Sequence, residues 1–362
     1  MQIILEENST TKQLIVGVMS GTSLDGLDLA LCEFEIINNK YVYTLVKAQT
    51  IHYSTVWKQY LTDVKTATAL HYFKLNSEYG EFIAEQITLF LKDIEQSINA
   101  IASHGHTVFH QPQLGFSTQI GCGATIAAKT GTTVICDFRS LDVALGGQGA
   151  PLVPIGDELL FNDYEACLNL GGIANISFKN NKGLRVAYDI CETNMLLNYL
   201  AQKMGYDYDE NGNFAMAGKI DEHLLIALND LPFYQQTGAK SLGREWFEET
   251  ILPFFTENKN DVKNLLATSV EHIAQVIANN LNKNNIKNVF ITGGGAFNSH
   301  LINTLTQKTS CKLIIPNAQI INFKEALIFA FLGYLRLQQK TNTLSLVTGA
   351  TKNSIGGVVY LM

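Results

Sequence analysis

The residues with the most evident chemical potential form one polar turn at positions 20–26, Ser-Gly-Thr-Ser-Leu-Asp-Gly. An apolar run at 14–19 precedes the turn and an apolar alternation at 27–31 follows it, and both patterns are typical of strands. The backbone N–H groups of such a glycine-rich hairpin can bind a phosphate, and Asp25 and Asp28 can hold the Mg²⁺ that accompanies a nucleotide. An ordinary surface hairpin with a polar tip is the alternative, because glycine and serine are common in turns.

A second turn of the same kind occurs at 170–175, within the strand–turn–strand stretch 166–178, and contains Gly171, Gly172 and Asn175. Two similar hairpins far apart in one chain indicate two domains of related design, each of which supplies a phosphate-binding loop. Chance similarity between two hairpins is the alternative.

Three consecutive glycines, Gly293, Gly294 and Gly295, follow an apolar stretch at 289–292 and precede a helix start. Glycine at such a place permits close approach of a ligand or close packing of a strand and a helix. A dinucleotide-binding fingerprint is excluded, because G-x-G-x-x-G and an acidic residue about 20 positions later are missing.

Two charged side chains near these stretches offer further chemistry. Arg139 can bind a phosphate or a carboxylate through two parallel hydrogen bonds, or form a structural ion pair with Asp137 or Asp142. Asp189 follows a predicted strand, where it either takes part in chemistry or caps a helix that begins near position 194.

The remaining pattern shows which elements must hold these groups. A strand is predicted at 41–52, and apolar residues at helical spacing predict helices over 54–98, over most of 195–282 and over 323–337. Histidines at 104, 106 and 110 leave a metal site open, but no carboxylate or cysteine nearby completes a ligand set.

Composition limits the class of protein. The 362 residues are enough for two domains, and 46% apolar with 16% charged residues is typical of a globular chain. A net charge of −7 without a basic block argues against a nucleic-acid partner. The first residues lack the basic start of a signal peptide, and the most apolar run, at 326–335, is too short to span a membrane. Six scattered cysteines without a CxxC pair predict reduced thiols and a cytoplasmic location.

Several strings together resemble one family. GVMSGTSLDGLDLAL at 17–31 resembles the N-terminal signature of the anhydro-N-acetylmuramic acid kinases, which are bacterial sugar kinases of the hexokinase, Hsp70 and actin superfamily. DFRSLDVALGGQGAPLVP at 137–154, KSLGREWF at 240–247 and SLVTGA at 345–350 are similar to further motifs of the family, in the expected order. The resemblance extends from about position 14 to position 359.

The resemblance implies a two-domain, actin/hexokinase-like ATPase fold of the α/β class, with a duplicated mixed-sheet core and a central cleft. The N-terminal domain would comprise 1–135 and about 345–362, with the first phosphate loop. The C-terminal domain would comprise 136–344, with the second loop, the catalytic aspartate and an adenosine motif at 293–295. The family also suggests a homodimer.

The resemblance further implies a role for each candidate residue. Asp189 matches the aspartate of the family pattern D-T-G-P-G-N, which is its catalytic base. The implied cofactor-binding residues are Gly21, Thr22, Ser23, Leu24, Asp25, Gly26, Leu27, Asp28, Gly171, Gly172, Asn175, Gly293, Gly294 and Gly295, with Asp25 and Asp28 as ligands of Mg²⁺. The implied substrate-binding residues are His104, Arg139, Gln148, Gly149, Asn194 and Glu325.

The chain departs from the family in two of the candidate site motifs and in the pair before Glu325, where it has Phe323 and Lys324. Residues 190–193 differ from the pattern, and Glu192 would raise the pKa of Asp189 if the two carboxylates approached closely. His106 stands where the family has glutamine, and Phe109 where it has arginine.

The implied function is an ATP-dependent kinase that opens the 1,6-anhydro ring of anhydro-N-acetylmuramic acid and phosphorylates O6, in peptidoglycan recycling. A diverged kinase for another sugar, a non-catalytic nucleotide-binding module, and an α/β protein whose glycines serve only turns are the alternatives.

Overall fold

The computed structural model describes residues 12–21, 24–238, 240–256 and 258–362. The chain divides into two compact units. Unit 1 consists of the described part of Met1–Leu160 together with Phe323–Met362, and unit 2 is the described part of Phe161–Asn322.

The strands are β1 (Gln13–Ser20), β2 (Gly26–Ile37), β3 (Lys40–His52), β4 (Ala100–Gln111), β5 (Phe116–Ile120), β6 (Val134–Cys136), β7 (Ala166–Leu170), β8 (Ile173–Lys179), β9 (Arg185–Glu192), β10 (Asn288–Thr292), β11 (Lys312–Ile314) and β12 (Val358–Tyr360). The helices are α1 (Thr55–Asp63), α2 (Ala69–Phe90), α3 (Gly123–Thr130), α4 (Ser140–Ala144), α5 (Pro154–Leu159), α6 (Asn194–Gln202), α7 (Asn213–Met216), α8 (Glu222–Asn229), α9 (Pro232–Gln235), α10 (Arg244–Trp246), α11 (Pro253–Thr256), α12 (Val262–Lys283), α13 (Ser299–Thr306), α14 (Ala318–Leu337) and α15 (Ser345–Thr348). Short 3₁₀ segments occur at Val64–Thr66, Pro112–Leu114, Glu210–Gly212 and Gly294–Phe297, and a π-helical turn at Phe247–Ile251.

The two units repeat one strand order. In unit 1 the sheet runs β12-β6-β4-β1-β2-β3, with β5 beside β4, and in unit 2 it runs β11-β10-β7-β8-β9. In each sheet the first three strands of the unit pair antiparallel. The next strands, β4 and β6 or β10 and β11, join on the other side in parallel. This repeated order confirms the predicted duplicated mixed-sheet core of an α/β protein.

The predicted strands are confirmed, whereas two helix predictions need correction. The apolar run at 14–19 forms β1, which is central in its sheet and therefore buried on both faces. The helical stretch predicted at 54–98 is two helices, α1 and α2, and it ends at Phe90. The helix predicted at 323–337 begins earlier, at Ala318.

The boundaries of the units differ from the predicted ones, because residues 136–160 and 323–344 belong to unit 1. β12 pairs with β6, and the Phe34 ring of β2 lies 5.4 Å from the rings of Phe331 and Tyr334 on α14. An apolar helix face in a sequence does not show which sheet it will cover, so this assignment required the structure.

Within the described residues, no helix combines the length and the apolar character that crossing a membrane requires.

Candidate active site

The first polar turn joins β1 to β2 in unit 1. Its described candidates are Gly21, Leu24, Asp25, Gly26, Leu27 and Asp28. Thr22 and Ser23, also predicted to bind the cofactor, lie outside the described residues. Leu27 belongs to β2 and its side chain is fully buried in the core, so only its backbone can face a ligand.

A buried chain of hydroxyl groups holds the end of β1 where the turn begins. The Tyr79 hydroxyl donates to the Tyr53 hydroxyl at 2.5 Å, which donates to Ser20 Oγ at 2.7 Å. Ser20 Oγ lies 2.9 Å from His106 Nδ1. Burial lowers the pKa of His106 to about 4, so the ring is neutral at physiological pH and Nδ1 accepts the proton of Ser20. The histidine that replaces the family's glutamine therefore anchors the turn.

Asp25 and Asp28 form a carboxylate pair beside this turn. Asp28 Oδ1 accepts a hydrogen bond from the Thr50 hydroxyl at 2.6 Å. Burial raises the pKa of Asp28, the bond from Thr50 opposes this shift, and the charge of Asp25 raises the pKa further. Two neighbouring carboxylates with a hydroxyl as partner fit a Mg²⁺ ion whose other ligands are water and phosphate oxygens.

Arg139 is held in place by His104. Its Nε and Nη2 atoms lie 3.1 Å and 2.9 Å from His104 Nε2, and Nη1 donates to the Gly149 carbonyl at 2.5 Å. His104 Nδ1 lies 2.9 Å from the Gly105 carbonyl, so Nδ1 carries the proton and Nε2 accepts. Burial, together with the charge of Arg139, lowers the pKa of His104 well below its usual range.

These bonds correct the predicted role of His104. Both ring nitrogens are occupied within the protein, so the ring positions Arg139 and has no free nitrogen for a sugar. Burial lowers the pKa of Arg139 to about 10, and the guanidinium keeps its charge at neutral pH. His110 Nδ1 lies 3.2 Å from Ser117 Oγ, so each of the three histidines has its own partner within the protein.

The glycine-rich loop at 146–149 folds around a buried carboxylate. Asp142 Oδ2 accepts the Gly149 N–H at 2.8 Å, and Asp142 Oδ1 accepts the Thr348 hydroxyl at 2.7 Å. The backbone of Gln148 donates to the Thr348 carbonyl at 2.8 Å and its side chain is exposed. Asp142 therefore holds this loop in place. The alternative in which Asp142 forms an ion pair with Arg139 is not what the structure shows.

Glu325, on α14, joins the two predicted sets in unit 1. The Glu325 side chain is exposed to solvent, but protein atoms lie around its carboxyl group. Burial of the carboxyl among these atoms raises its pKa. The positive charge of Arg139 opposes this shift, and the negative charge of Asp28 adds to it. Unit 1 thus brings Asp28 of the predicted metal pair and Arg139 of the predicted substrate set within electrostatic reach of Glu325.

The second turn, between β7 and β8 in unit 2, has satisfied carbonyls and free N–H groups. The Gly171 carbonyl accepts the Thr193 hydroxyl at 2.7 Å and the Asn194 N–H at 3.2 Å. The Gly172 carbonyl accepts the N–H groups of Thr193 at 2.9 Å and Met195 at 3.1 Å. Within the described part of the chain, the N–H groups of Gly171 and Gly172 donate no hydrogen bond, which leaves two donors for an anion.

The three glycines at 293–295 pack against this second turn. Gly293 has a φ of 84°, and a Cβ there would lie 2.6 Å from Asn169 Oδ1 and 2.7 Å from the Leu170 carbonyl. Asn194 Nδ2 donates to the same Leu170 carbonyl at 3.0 Å. Asn194, predicted to bind substrate, thus holds these segments together. The sequence-based predictions did not include Asn169, although its position two residues before Gly171 indicated that it could contact the turn.

Asp189 lies on β9, opposite Asn175 on β8. Its Oδ2 accepts the Leu242 N–H at 2.8 Å, and its own N–H donates to the Lys240 carbonyl at 3.0 Å. Burial raises the pKa of Asp189, while the Leu242 N–H and the charge of Lys240 lower it. Asp189 does not cap α6, whose N-cap residue is Thr193.

The residues that depart from the family pattern are directed into unit 2. Ile190, Cys191, Glu192 and Thr193 are all at most 1% exposed. Glu192 accepts the Tyr234 hydroxyl at 2.7 Å and does not contribute to the raised pKa of Asp189. The raised pKa of Asp189 arises from burial, so the effect expected of Glu192 on condition of close approach plays no part in it.

The repeated mixed sheets are those of an α/β protein with a duplicated core. The family model described as "Anhydro-N-acetylmuramic acid kinase" matches residues 13–362. The chain therefore belongs to the anhydro-N-acetylmuramic acid kinase family, as its motifs predicted, and it is a phosphotransferase.

Curated relatives agree. The chain is 33% identical to the anhydro-N-acetylmuramic acid kinase of Legionella pneumophila strain Paris, over 96% of this chain and 98% of that protein. It is 34% identical to the enzyme of the same name from Coxiella burnetii strain Dugway 5J108-111, over 96% and 98%. Among solved structures, a ROK family glucokinase from Streptomyces griseus in complex with glucose and AMPPNP is 11% identical, with a TM-score of 0.38 over 88% of this chain and 98% of that one. At that level of similarity the solved structure carries no conclusion about function.

Proposed function

We propose that this chain uses ATP to hydrolyse the 1,6-anhydro ring of anhydro-N-acetylmuramic acid and to phosphorylate O6, with Asp189 as the general base. The product is N-acetylmuramic acid 6-phosphate. One observation carries the assignment of the base. Asp189 is a half-buried carboxylate whose pKa is raised by burial, and it lies on β9. This strand pairs with β8, which follows the turn whose two glycine N–H groups donate no hydrogen bond within the described residues.

The reaction needs a group that takes one proton from water. The water oxygen attacks the anomeric carbon while the C1–O6 bond breaks, and O6 bonds to the γ-phosphorus of ATP as ADP leaves. Asp189 accepts the proton of the water. The Leu242 N–H fixes Oδ2, whereas Oδ1 forms no hydrogen bond within the described residues and can face the water.

The turns and the arginine supply the binding groups. The N–H groups of Gly171 and Gly172 are assigned to phosphate oxygens, and the glycines at 293–295 to the nucleoside. Asp25 and Asp28 would hold Mg²⁺, which neutralises charge on the transferred phosphate when it is bound.

The sugar is assigned to Arg139 and its neighbours. The guanidinium is positioned by His104, and the backbone of Gly149 and the carboxyl of Glu325 lie near it. A cytoplasmic homodimer remains the expectation from the family resemblance.

The departures at 190–193 favour the family's own substrate over another sugar. All four side chains are buried, and those of Glu192 and Thr193 are bonded within unit 2. Substitutions that face a protein core alter the scaffold, whereas a change of substrate requires substitutions that face the ligand.

Release of ADP with a panel of sugars tests the assignment. We expect Mg²⁺-dependent ADP release with the 1,6-anhydro sugar and much less with N-acetylmuramic acid, which has no anhydro bond to break. Greater turnover of another sugar would establish the diverged kinase. Nucleotide binding without turnover on any sugar would establish the non-catalytic module.

A further inference from the structure

Glu192 is a fully buried carboxylate on β9, close in sequence to the proposed base. Its Oε2 accepts the hydroxyl of Tyr234 on α9 at 2.7 Å. Its Oε1 lies 3.3 Å from Nε2 of His272 on α12, a side chain that is also fully buried. Burial of a carboxylate is costly unless its charge is balanced, so the protonation of His272 decides whether this arrangement is stable.

Hydrogen bonds beyond His272 determine which of its nitrogens carries a proton. At the outer end Glu271 accepts Lys308 Nζ at 2.5 Å and Gln275 Nε2 at 2.6 Å. Because a carboxylate only accepts, Gln275 turns its oxygen to Asn229 Nδ2, at 2.7 Å. Asn229 then offers its oxygen to His272 Nδ1 at 2.6 Å, so Nδ1 bears a proton.

The other ring nitrogen requires a second proton. His272 Nε2 faces two oxygens, the Tyr234 hydroxyl at 3.1 Å and Glu192 Oε1 at 3.3 Å. The only proton of the Tyr234 hydroxyl is directed to Glu192 Oε2. With Glu192 ionised, an unprotonated Nε2 would therefore place a lone pair against two oxygens without a hydrogen between them. The alternative position for that hydrogen is Glu192 Oε1, which would make both side chains neutral. A proton on Nε2 donates to the Tyr234 hydroxyl and gives Glu192 Oε1, which has no hydrogen-bond partner within the described residues, an opposite charge at 3.3 Å. The pair is then an imidazolium and a carboxylate.

The neighbouring groups do not supply this charge. Burial raises the pKa values of Tyr234 on α9 and of Cys191 on β9, so both are neutral at neutral pH. Of the other charged groups, Lys240 acts on Cys191 but donates to the Phe233 carbonyl, and Glu271 and Lys308 lie beyond the two amides and pair with each other.

The same cluster is connected to Asp189 through α9. Tyr234 follows Phe233, whose carbonyl accepts Lys240 Nζ at 3.0 Å and whose ring lies 4.3 Å from that nitrogen. Residues 240 and 242 then make the two backbone bonds to Asp189. The bond between Glu192 and Tyr234 thus holds α9, and α9 holds the segment that orients the proposed base.

We propose that Glu192, Tyr234 and the doubly protonated His272 form a buried clamp, in which Glu192 is a positioning residue for Asp189. This inference rests on the proposed function for its link to turnover, whereas the protonation of His272 can be tested without it.

Glu192→Gln and Glu192→Ala form a matched pair of tests. In Glu192→Gln the amide oxygen accepts from Tyr234 and the amide nitrogen donates to a neutral His272, so the clamp persists and most of kcat is kept. Glu192→Ala removes both contacts, and we expect kcat to fall about 10- to 100-fold with an unchanged KM for ATP. The acid limb of its kcat profile should move to higher pH, because loss of the Leu242 and Lys240 contacts raises the pKa of Asp189.

Tyr234→Phe removes only the hydroxyl and should change kcat and the pH profile in the same direction. It replaces Glu192→Ala if thermal unfolding shows that the alanine variant is poorly folded. Unchanged kcat and pH profile in the folded variant would overturn the positioning role.

Nuclear magnetic resonance of the full chain with ¹⁵N-labelled histidine tests the proton directly. The His272 signals are identified by their loss in His272→Gln. We expect protons on both ring nitrogens in the wild type at neutral pH, and on Nδ1 alone in Glu192→Gln. A singly protonated His272 in the wild type would overturn the proposal. Because this measurement needs no turnover, a wild-type chain that is inactive on the anhydro sugar would contradict the proposed function alone.

Discussion

The β1–β2 turn and the β7–β8 turn occupy the same place in two sheets of equal strand order, but their glycines serve different ends. In unit 1 a Cβ on Gly26 would lie 2.6 Å from the Ile51 carbonyl and 2.8 Å from Thr50 Cγ2, so strand packing requires the glycine. In unit 2 a Cβ on Gly172 would meet nothing closer than Met195, at 3.8 Å. Packing does not require glycine at position 172, and its presence there supports the proposed approach of a phosphate.

The chemistry of the two units differs in the same way. Unit 1 offers side chains, namely the carboxylates of Asp25 and Asp28 and the guanidinium of Arg139. Unit 2 offers backbone N–H groups at its turn and a single carboxylate, Asp189, with a raised pKa. The repeated scaffold thus carries charged side chains in unit 1, and backbone donors with the proposed base in unit 2.

The largest expected effect comes from removal of the base in unit 2. Asp189→Asn should lower kcat by about 10²- to 10⁴-fold, because an amide cannot accept the proton of the attacking water. Steady-state kinetics give kcat, and calorimetry with an ATP analogue gives nucleotide affinity, which should be unchanged. A loss of less than about tenfold would mean that another group acts as the base.

Gly172→Ala tests whether the second turn binds phosphate. The Cβ fits without a clash, so the thermal midpoint should be that of the wild type. A methyl group on the turn should hinder close approach and lower kcat/KM for ATP about 10- to 100-fold, the effect of one or two hydrogen bonds to a charged group. A folded variant with the kcat/KM of the wild type would show that this turn does not bind phosphate.

Gly26→Ala is the counterpart in the first turn and should act on stability. The new Cβ would press on the β3 backbone, and overpacking of this kind typically costs about 1–3 kcal/mol of unfolding free energy. Denaturant unfolding measures the change. A variant as stable as the wild type would show that packing does not require glycine at position 26 any more than at position 172.

Lys240→Met should displace the pH profile, and because it also breaks the Nζ bond to the Phe233 carbonyl, kcat should fall by no more than in Glu192→Ala. Asp189 must be ionised to accept a proton, so activity falls as the pH decreases through its pKa. The charge of Lys240 lowers that pKa, and its removal should move the acid limb of kcat to higher pH.

Lys203→Met is the matched control for Lys240→Met. Lys203 also donates to a carbonyl, that of Phe255 at 2.8 Å, and lies 4.7 Å from the ring of Tyr199, but it has no contact with Asp189. An equal displacement in both variants would assign the effect to packing rather than to charge.

Local sequence patterns predicted many of the strands and turns. Features that depend on contacts between residues distant in the sequence could not be predicted from it. The apolar runs and polar turns at 14–31 and 166–178 show the strand period directly, so β1, β2, β7 and β8 were predictable. The unit to which α14 belongs was not, because amphipathic spacing does not identify the sheet a helix covers.

At the candidate site, the roles of several side chains depend on partners that are distant in the sequence, so these roles could not be predicted either. His104 and Arg139 were singled out separately, yet their mutual bond changes the role of the histidine from ligand to support. The contact of Glu192 with His272 depends on a helix far along the chain, and no spacing rule indicates it.

The most direct test of the central claim is the mass of the product formed in ¹⁸O-labelled water. Incubation with 1,6-anhydro-N-acetylmuramic acid, Mg²⁺ and ATP should yield the substrate plus one phosphate and one heavy-oxygen water, and Asp189→Asn should not form this product. Release of ADP with the sugar unchanged, or phosphorylation without uptake of the heavy oxygen, would contradict a mechanism in which Asp189 activates water.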